Sequence, residues 1–220
     1  MRFRPTPRTE RVERRSSGVG EARRTVEAVV SETPQAAALG ADLVGLCRRA
    51  VETALAGEAA RLGEVAPGER RVEVSLTLTG DDEIRELNRR YLGRDRATDV
   101  LSFPMWKGDE DGAQADAATG PAPGPASGPG PEPGTAPEGA PDEPVLLGDV
   151  IVSVETARRQ AAEYGRPFRE ELSRLVVHGT LHLLDYEDAS RRGAAVMRSK
   201  EDAVLVRLGL DPRGPGAAGR

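Results

Sequence analysis

Val72, Val74, Leu76 and Leu78 alternate strictly with Glu73, Ser75, Thr77 and Thr79, the period of a half-buried strand. Gly80 ends the run, and Asp81 is placed to cap a helix whose Ile84, Leu87 and Tyr91 face inward. Thr25 to Val30 alternates more weakly and predicts a first strand, followed by a turn at Pro34 and one helix from about Gly40 to Leu62. Thr98 to Phe103 predicts a short strand stopped by Pro104. Val145 to Val154 is apolar except for Gly148, Asp149 and Ser153, the composition of a central strand covered on both faces. A helix follows from Glu155 to Tyr164, stopped by Gly165, and a last one runs to Leu208, closed by Gly209 and Pro212. The order predicts an α+β fold, a small mixed sheet with helices packed on it.

Between those two helices, Phe168, Leu172, Leu175, Val176, Gly179 and Leu183 recur at three- and four-residue spacing, with Pro167 suited to the first turn. Both histidines of the chain, His178 and His182, lie beside this stripe, four residues apart. On a helix their Cβ atoms fall roughly 5–6 Å apart on one face, which suits one metal ion. The same spacing equally suits two ordinary, partly buried histidines. After Leu184 the pattern stops. Asp185 tolerates left-handed geometry and can turn the chain so that Asp188 folds back as a third ligand. The candidate metal site is thus a helix and the turn that follows it.

Composition sets what surrounds this domain. At 220 residues and 38% hydrophobic, the chain can bury a core. Nine of its 17 prolines fall between Pro121 and Pro144. The stretch 105–144 is therefore expected to be a disordered loop inserted between two successive strands. Met1 to Arg24 carries eight arginines against three glutamates without an apolar run, a basic disordered tail that resembles neither a signal nor a transit peptide. The expected layout is a tail over 1–24, a single domain over 25–208 interrupted by 105–144, and a C-terminal tail over 209–220. No stretch reaches the ~18 apolar residues of a membrane span, and a cytoplasmic location with no membrane partner is expected.

The net charge of −5 argues against a general affinity for nucleic acid. Residues 105–145 hold eight acids and one base, and the N-terminal tail is basic. The folded part is left at about −3, so any nucleic-acid binding needs a local basic patch. The single cysteine, Cys47, sits in an alanine- and leucine-rich helix and is expected to be a small buried hydrophobe. Its absence from the histidine stretch speaks against a zinc finger.

The wording of three blocks resembles one family. HGTLHLLDYED, His178 to Asp188, resembles the signature HGxLHLxGYDH of the YbeY endoribonucleases, bacterial zinc-dependent proteins of ribosomal RNA maturation. LNRRYLGRDRATDVLSFP, Leu87 to Pro104, resembles the family's LNxxYRxxDxPTDVLSFP. Leu147 to Ile151 resembles its LGDI strand, and Met197 with Glu201 resembles an MxxxE in its last helix. The likeness covers roughly residues 70–104 and 145–208. Two departures stand out: Asp188 occupies the place of the family's third histidine, and Leu92 that of an arginine. Aspartate remains a competent zinc ligand, with harder oxygen donation.

Three ligands leave a fourth position for water, which zinc acidifies toward neutral pH, so hydrolysis is the expected chemistry. The spacing H-x3-H-x5-D is also that of metzincin peptidases. Those place a glutamate base directly after the first histidine, where this chain has Gly179. Gly179 suits instead the close approach of a strand or a bulky substrate. Arg89, Arg90, Arg94 and Arg96 form a local cluster, of which Arg90, Arg94 and Arg96 are the candidates for RNA phosphate contact. Glu201 falls on the apolar stripe of the last helix, where it either accepts a hydrogen bond from a ligating imidazole or pairs with an arginine. The resemblance implies a single-strand-specific endoribonuclease with one Zn2+ per chain, acting in 16S rRNA 3′-end maturation and ribosome quality control with the small ribosomal subunit. The rival expectations are a non-catalytic zinc-containing assembly or RNA-binding factor and, behind it, a metallopeptidase.

Overall fold

The computed structural model describes residues 25–66, 71–106 and 144–213. The expected basic tail over 1–24, nearly all of the expected insertion and the last residues of the C-terminal tail lie outside the described residues. Four strands form one sheet: β1 (Val26–Val30), β2 (Val72–Thr79), β3 (Val100–Pro104) and β4 (Val145–Ser153). The order is β1-β2-β4-β3, with β1, β2 and β4 parallel and β3 antiparallel along the β4 edge. This is the expected mixed sheet. Val72, Val74, Leu76 and Leu78 are fully buried on one face of β2, and each such burial stabilises the fold by about 1.5–3 kcal/mol.

Helices α1 (Pro34–Leu39), α2 (Ala41–Gly57) and α3 (Ala59–Val65) connect β1 to β2. The single helix expected over 40–62 is therefore broken at Glu58, whose side chain is drawn to partners elsewhere in the fold. Helices α5 (Val154–Glu163), α6 (Phe168–Leu183) and α7 (Arg191–Arg207) follow β4. α6 lies across β3 and β4, flanked by α2, α5 and α7. α4 (Asp81–Leu92) covers the opposite face of β3, where Ile84, Leu87, Tyr91 and Leu92 pack on Leu101 and Phe103.

β4 is central, but it is not covered on both faces along its whole length: Leu146 is 39% exposed, and Asp149 and Ile151 are half-buried because α4 shields only part of that side. A bulge between Glu73 and Val74 skips Leu147 in the pairing of β2 with β4. The next residue, Gly148, has φ +151°, and a Cβ there would lie 2.3 Å from the Phe103 carbonyl oxygen. Only glycine admits β3 this closely.

Asp81 does not cap α4. The N-cap is Gly80, and the Asp81 carboxylate turns to α5, accepting from Ser153 Oγ (2.5 Å), Thr156 Oγ1 (2.7 Å) and Arg159. Glu155, in the first turn of α5, accepts from the Asp81 amide at 2.7 Å. Glu155 thus caps α4 from the neighbouring helix, while α5 is capped by its own Ser153, which accepts from the Thr156 amide at 3.1 Å, and both N-termini gain a negative charge. Burial would raise the Asp81 pKa, but these bonds outweigh it and pull it down to about 2.

Cys47 is fully buried, and burial pushes its thiol up to about 12. The first residues of the expected insertion are tied to the fold, since the Met105 amide donates to the Leu147 carbonyl (3.0 Å) and Trp106 Nε1 to the Leu183 carbonyl (2.7 Å). Packing also continues past Leu208: Leu210 is 7% exposed, and the Pro212 carbonyl accepts from Arg174. No helix among the described residues is long and apolar enough to cross a membrane.

Candidate metal centre

Helix α6 begins after Pro167 and buries its apolar stripe, Leu172, Leu175, Val176, Gly179 and Leu183, as the spacing predicts. Gly179 sets how closely α6 sits on the sheet. A Cβ there would lie 2.7 Å from Val150, 2.8 Å from Val100 and 3.0 Å from Ser102 Oγ, and the Gly179 carbonyl accepts from that hydroxyl at 3.0 Å. The glycine serves the approach of strands rather than of substrate. A glutamate at this position would be driven into the sheet, so the general base of the metzincin signature has no place here.

His178 and His182 stand one turn apart on α6, with Nε2 atoms 3.0 Å from each other. α6 ends at Leu183, and the chain turns through Asp185, the one non-glycine residue of positive φ (+64°) among those described. That turn brings Asp188 Oδ2 to 3.8 Å from His178 Nε2. One donor atom from each of His178, His182 and Asp188 lies within 4.8 Å of the other two. Donors about 2.05 Å from a tetrahedral ion stand about 3.4 Å apart, so the spacings of 3.0 and 3.8 Å bracket what one ion requires.

The outer layer fixes the orientation of the first ring. His178 Nδ1 lies 2.8 Å from Glu201 Oε1, and the other Glu201 oxygen accepts from Arg174 Nη1 at 2.9 Å. Glu201 thus makes both of the contacts that its place on the apolar stripe of α7 allowed. With Nδ1–H donated to Glu201, the Nε2 lone pair of His178 faces His182 and Asp188. Arg174, 12% exposed, also donates to Asp202 (3.0 Å) and to the Pro212 carbonyl (2.7 Å), so Glu201 is itself held from behind. Arg174 carries no signal in the sequence that would have singled it out.

Charge is shared unequally between the rings. Burial disfavours the His178 cation, but the bond to Glu201 and the charges of Glu201, Asp188 and Asp99 outweigh it and raise the pKa. His182 is lowered by burial and by the His178 charge. Burial would raise Glu201, but bonds from His178 and Arg174 hold it below the usual carboxylate range. Without an ion, the 3.0 Å contact between the two Nε2 atoms requires a proton on one of them, and a cation binding there displaces it.

The arginine cluster lies apart from these residues in the chain, on the end of α4 and the loop after it. Arg89 is held by Glu86 at 2.6 and 2.9 Å, and the Arg90 guanidinium lies over the Tyr91 ring at 5.5 Å. Arg94 is half-buried, and Arg96 is exposed, its carbonyl accepting from Asn88 at 2.8 Å. Leu92 packs into the apolar cluster beneath α4. The position that is arginine in the signature is therefore part of the packing in this chain.

A family model described as Endoribonuclease YbeY matches residues 46–209. An endoribonuclease YbeY of Moorella thermoacetica is 40% identical over 173 residues, covering 78% of this chain and 90% of its own. That of Pelotomaculum thermopropionicum is 36% identical over 182 residues, 83% of this chain and 97% of its own. A solution structure from Thermotoga maritima, 20% identical, covers 89% of this chain and 100% of that one with a TM-score of 0.45. Because the family match spans residues 46–209, from within α2 past the end of α7, and takes in the histidine pair, the turn and Glu201, the chain belongs to the endoribonuclease YbeY family.

Proposed function

We propose that His178, His182 and Asp188 hold one zinc ion and that the protein is a zinc-dependent endoribonuclease for single-stranded RNA, working in 16S rRNA 3′-end maturation and quality control on the small ribosomal subunit. The observation that carries the metal reading is the convergence of three donor atoms within 4.8 Å, with His178 tied back to Glu201. The RNA substrate is inferred from family membership. A ribosomal RNA substrate implies work in the cytoplasm. The layout that goes with this reading is one metallohydrolase domain over 25–208, interrupted by the 105–144 insertion.

Zinc in this site supplies a water acidified toward neutral pH and a positive charge for the scissile phosphate. The residues of the chain do the rest. Glu201 keeps the His178 ring in one tautomer and orientation, and Arg174 keeps Glu201 ionised and in place. Asp188 adds a negative, oxygen-donating ligand in place of the histidine of the signature, which favours harder cations than three imidazoles would. Arg90, Arg94 and Arg96 are the proposed holds on the RNA backbone, substituting for the arginine that Leu92 replaces.

The test is cleavage of a single-stranded ribosomal RNA fragment and of the same fragment in a duplex, by metal-free and by zinc-reconstituted protein. Cleavage of the single strand only after reconstitution is expected. Zinc binding without cleavage of either RNA would overturn the nuclease reading. Arg94→Ala is expected to slow cleavage with zinc content unchanged, and an unchanged rate would remove Arg94 from the RNA contact.

A further inference from the structure

Asp188 is the weakly fixed member of the proposed triad. Its side chain is 50% exposed, and among the described residues its one ion-pair contact is His178 at 3.8 Å. Its position therefore depends on the turn that carries it. That turn bends at Asp185, where the family signature has glycine and where an L side chain is held at φ +64°.

Three side chains from other elements converge on this turn. From the first turn of α3, Arg61 donates through Nε to the Leu184 carbonyl (2.9 Å) and through Nη2 to the Asp185 carbonyl (3.4 Å) and carboxylate (3.3 Å). Its guanidinium also lies 5.8 Å from the Tyr186 ring centre. Glu58, at the break between α2 and α3, accepts from Tyr186 Oη and from Lys200 Nζ, each at 2.6 Å. The Lys200 ammonium, from α7, lies 4.7 Å from the same ring. Residues 184–186 are thus gripped by α3 on one side and α7 on the other. The break at Glu58 finds an explanation here, because it aims both Glu58 and Arg61 at the turn.

We propose that Arg61, backed by Glu58, Tyr186 and Lys200, is a positioning residue for Asp188: it holds the left-handed turn so that the third ligand stands at the histidines before any ion arrives. The inference rests on the metal reading of the triad. Arg61 touches no ligand, so its effect must pass through the turn.

The experiment is zinc titration, by competition with a chromogenic chelator, of wild type, Arg61→Ala, Asp188→Ala and the double variant. Hydrogen exchange of the Asp185 and Tyr186 amides is followed in the metal-free proteins. Removing Arg61 is expected to weaken zinc binding about tenfold, as loss of an outer-layer support does elsewhere. In the Asp188→Ala background it should change binding less than about twofold, since the ligand it positions is gone. Both amides should exchange about tenfold faster in Arg61→Ala, the effect of roughly 1.4 kcal/mol of lost restraint.

Equal zinc affinity in wild type and Arg61→Ala would overturn the proposal. So would an equal loss in both backgrounds, which would mark a general effect on the fold, or unchanged exchange at the turn. Failure of the wild type to bind zinc would instead overturn the metal reading, leaving the exchange measurement to judge the clamp. If Arg61→Ala loses its helical circular dichroism, Tyr186→Phe, which removes the hydroxyl that meets Glu58 and Lys200 and keeps the ring, carries the same four-way comparison.

Discussion

His178 and His182 reach the centre from a helix packed between the sheet and its neighbours, whereas Asp188 reaches it from a turn half open to solvent. On the histidine side the spacing of one helix fixes the two rings, and α7 supplies Glu201 at 9% exposure to lock one of them. On the aspartate side no regular element fixes the ligand. Placement there falls to a positive-φ residue and to side chains 123–128 residues away in sequence. Local periodicity makes a rigid half-site, and tertiary contacts make an adjustable one. An adjustable half is also where a ligand exchange such as histidine to aspartate is absorbed with least disturbance.

The largest expected effect tests both halves by deletion. His182→Ala and Asp188→Ala should each emerge from purification without stoichiometric zinc, read by elemental analysis, and keep only a weaker binding that a titration still measures. Full zinc content in either would remove that residue from the ligand set. Asp188→His, which restores the third ligand of the family signature, should keep the zinc, because the clamp acts on the backbone and not on the ligand atom.

Next comes the seat of the rigid half. Gly179→Ala forces a methyl against Val150, Val100 and Ser102 and should cost about 1–3 kcal/mol. Calorimetry should then record a Tm lower by several degrees, at about 2–4 °C per kcal/mol for a chain of this size. An unchanged Tm would mean that α6 has room to lift from the sheet.

Glu201→Gln should weaken zinc binding about tenfold with the fold intact. Unchanged affinity would show that His178 needs no orientation from α7.

The smallest effect lies away from the centre. Asp81 is held at a pKa of about 2 in the fold against an ordinary 3.8. A group with a lowered folded pKa stabilises at pH above its unfolded value and loses that contribution as pH falls between about 4 and 2. Allowing for solvent screening of its exposed Arg159 partner, Asp81→Asn should destabilise by about 1 kcal/mol at neutral pH. In urea titrations the gap between variant and wild type should close near pH 2. A gap that persists there would trace the effect to lost hydrogen bonds alone.

What could be read in advance follows the same division. The strands, the histidine helix and even the left-handed bend at Asp185 announce themselves through local pattern: alternation in β2, three-and-four spacing in α6, and the end of an apolar stripe at Leu184. The helix break at Glu58 does not, since good helix formers flank it and the cause lies in Tyr186 and Lys200. The Asp81 cap goes wrong for the same reason, because Ser153, Thr156 and Arg159 outcompete the local amides for its carboxylate. Arg61 and Arg174 look like any surface arginine until the fold brings their partners to them. The unbroken apolar run of β4 points correctly to a central strand, but it overstates the cover on the far face, where a single helix, α4, is too short to shield Leu146.

Diffraction from zinc-loaded crystals at the zinc absorption edge would locate the ion itself. One anomalous peak per chain is expected, about 2.0–2.2 Å from His178 Nε2, His182 Nε2 and an Asp188 carboxylate oxygen, with His178 Nδ1 still on Glu201. A peak bound elsewhere, or one held by the two histidines with Asp188 turned out to solvent, would contradict the proposed triad.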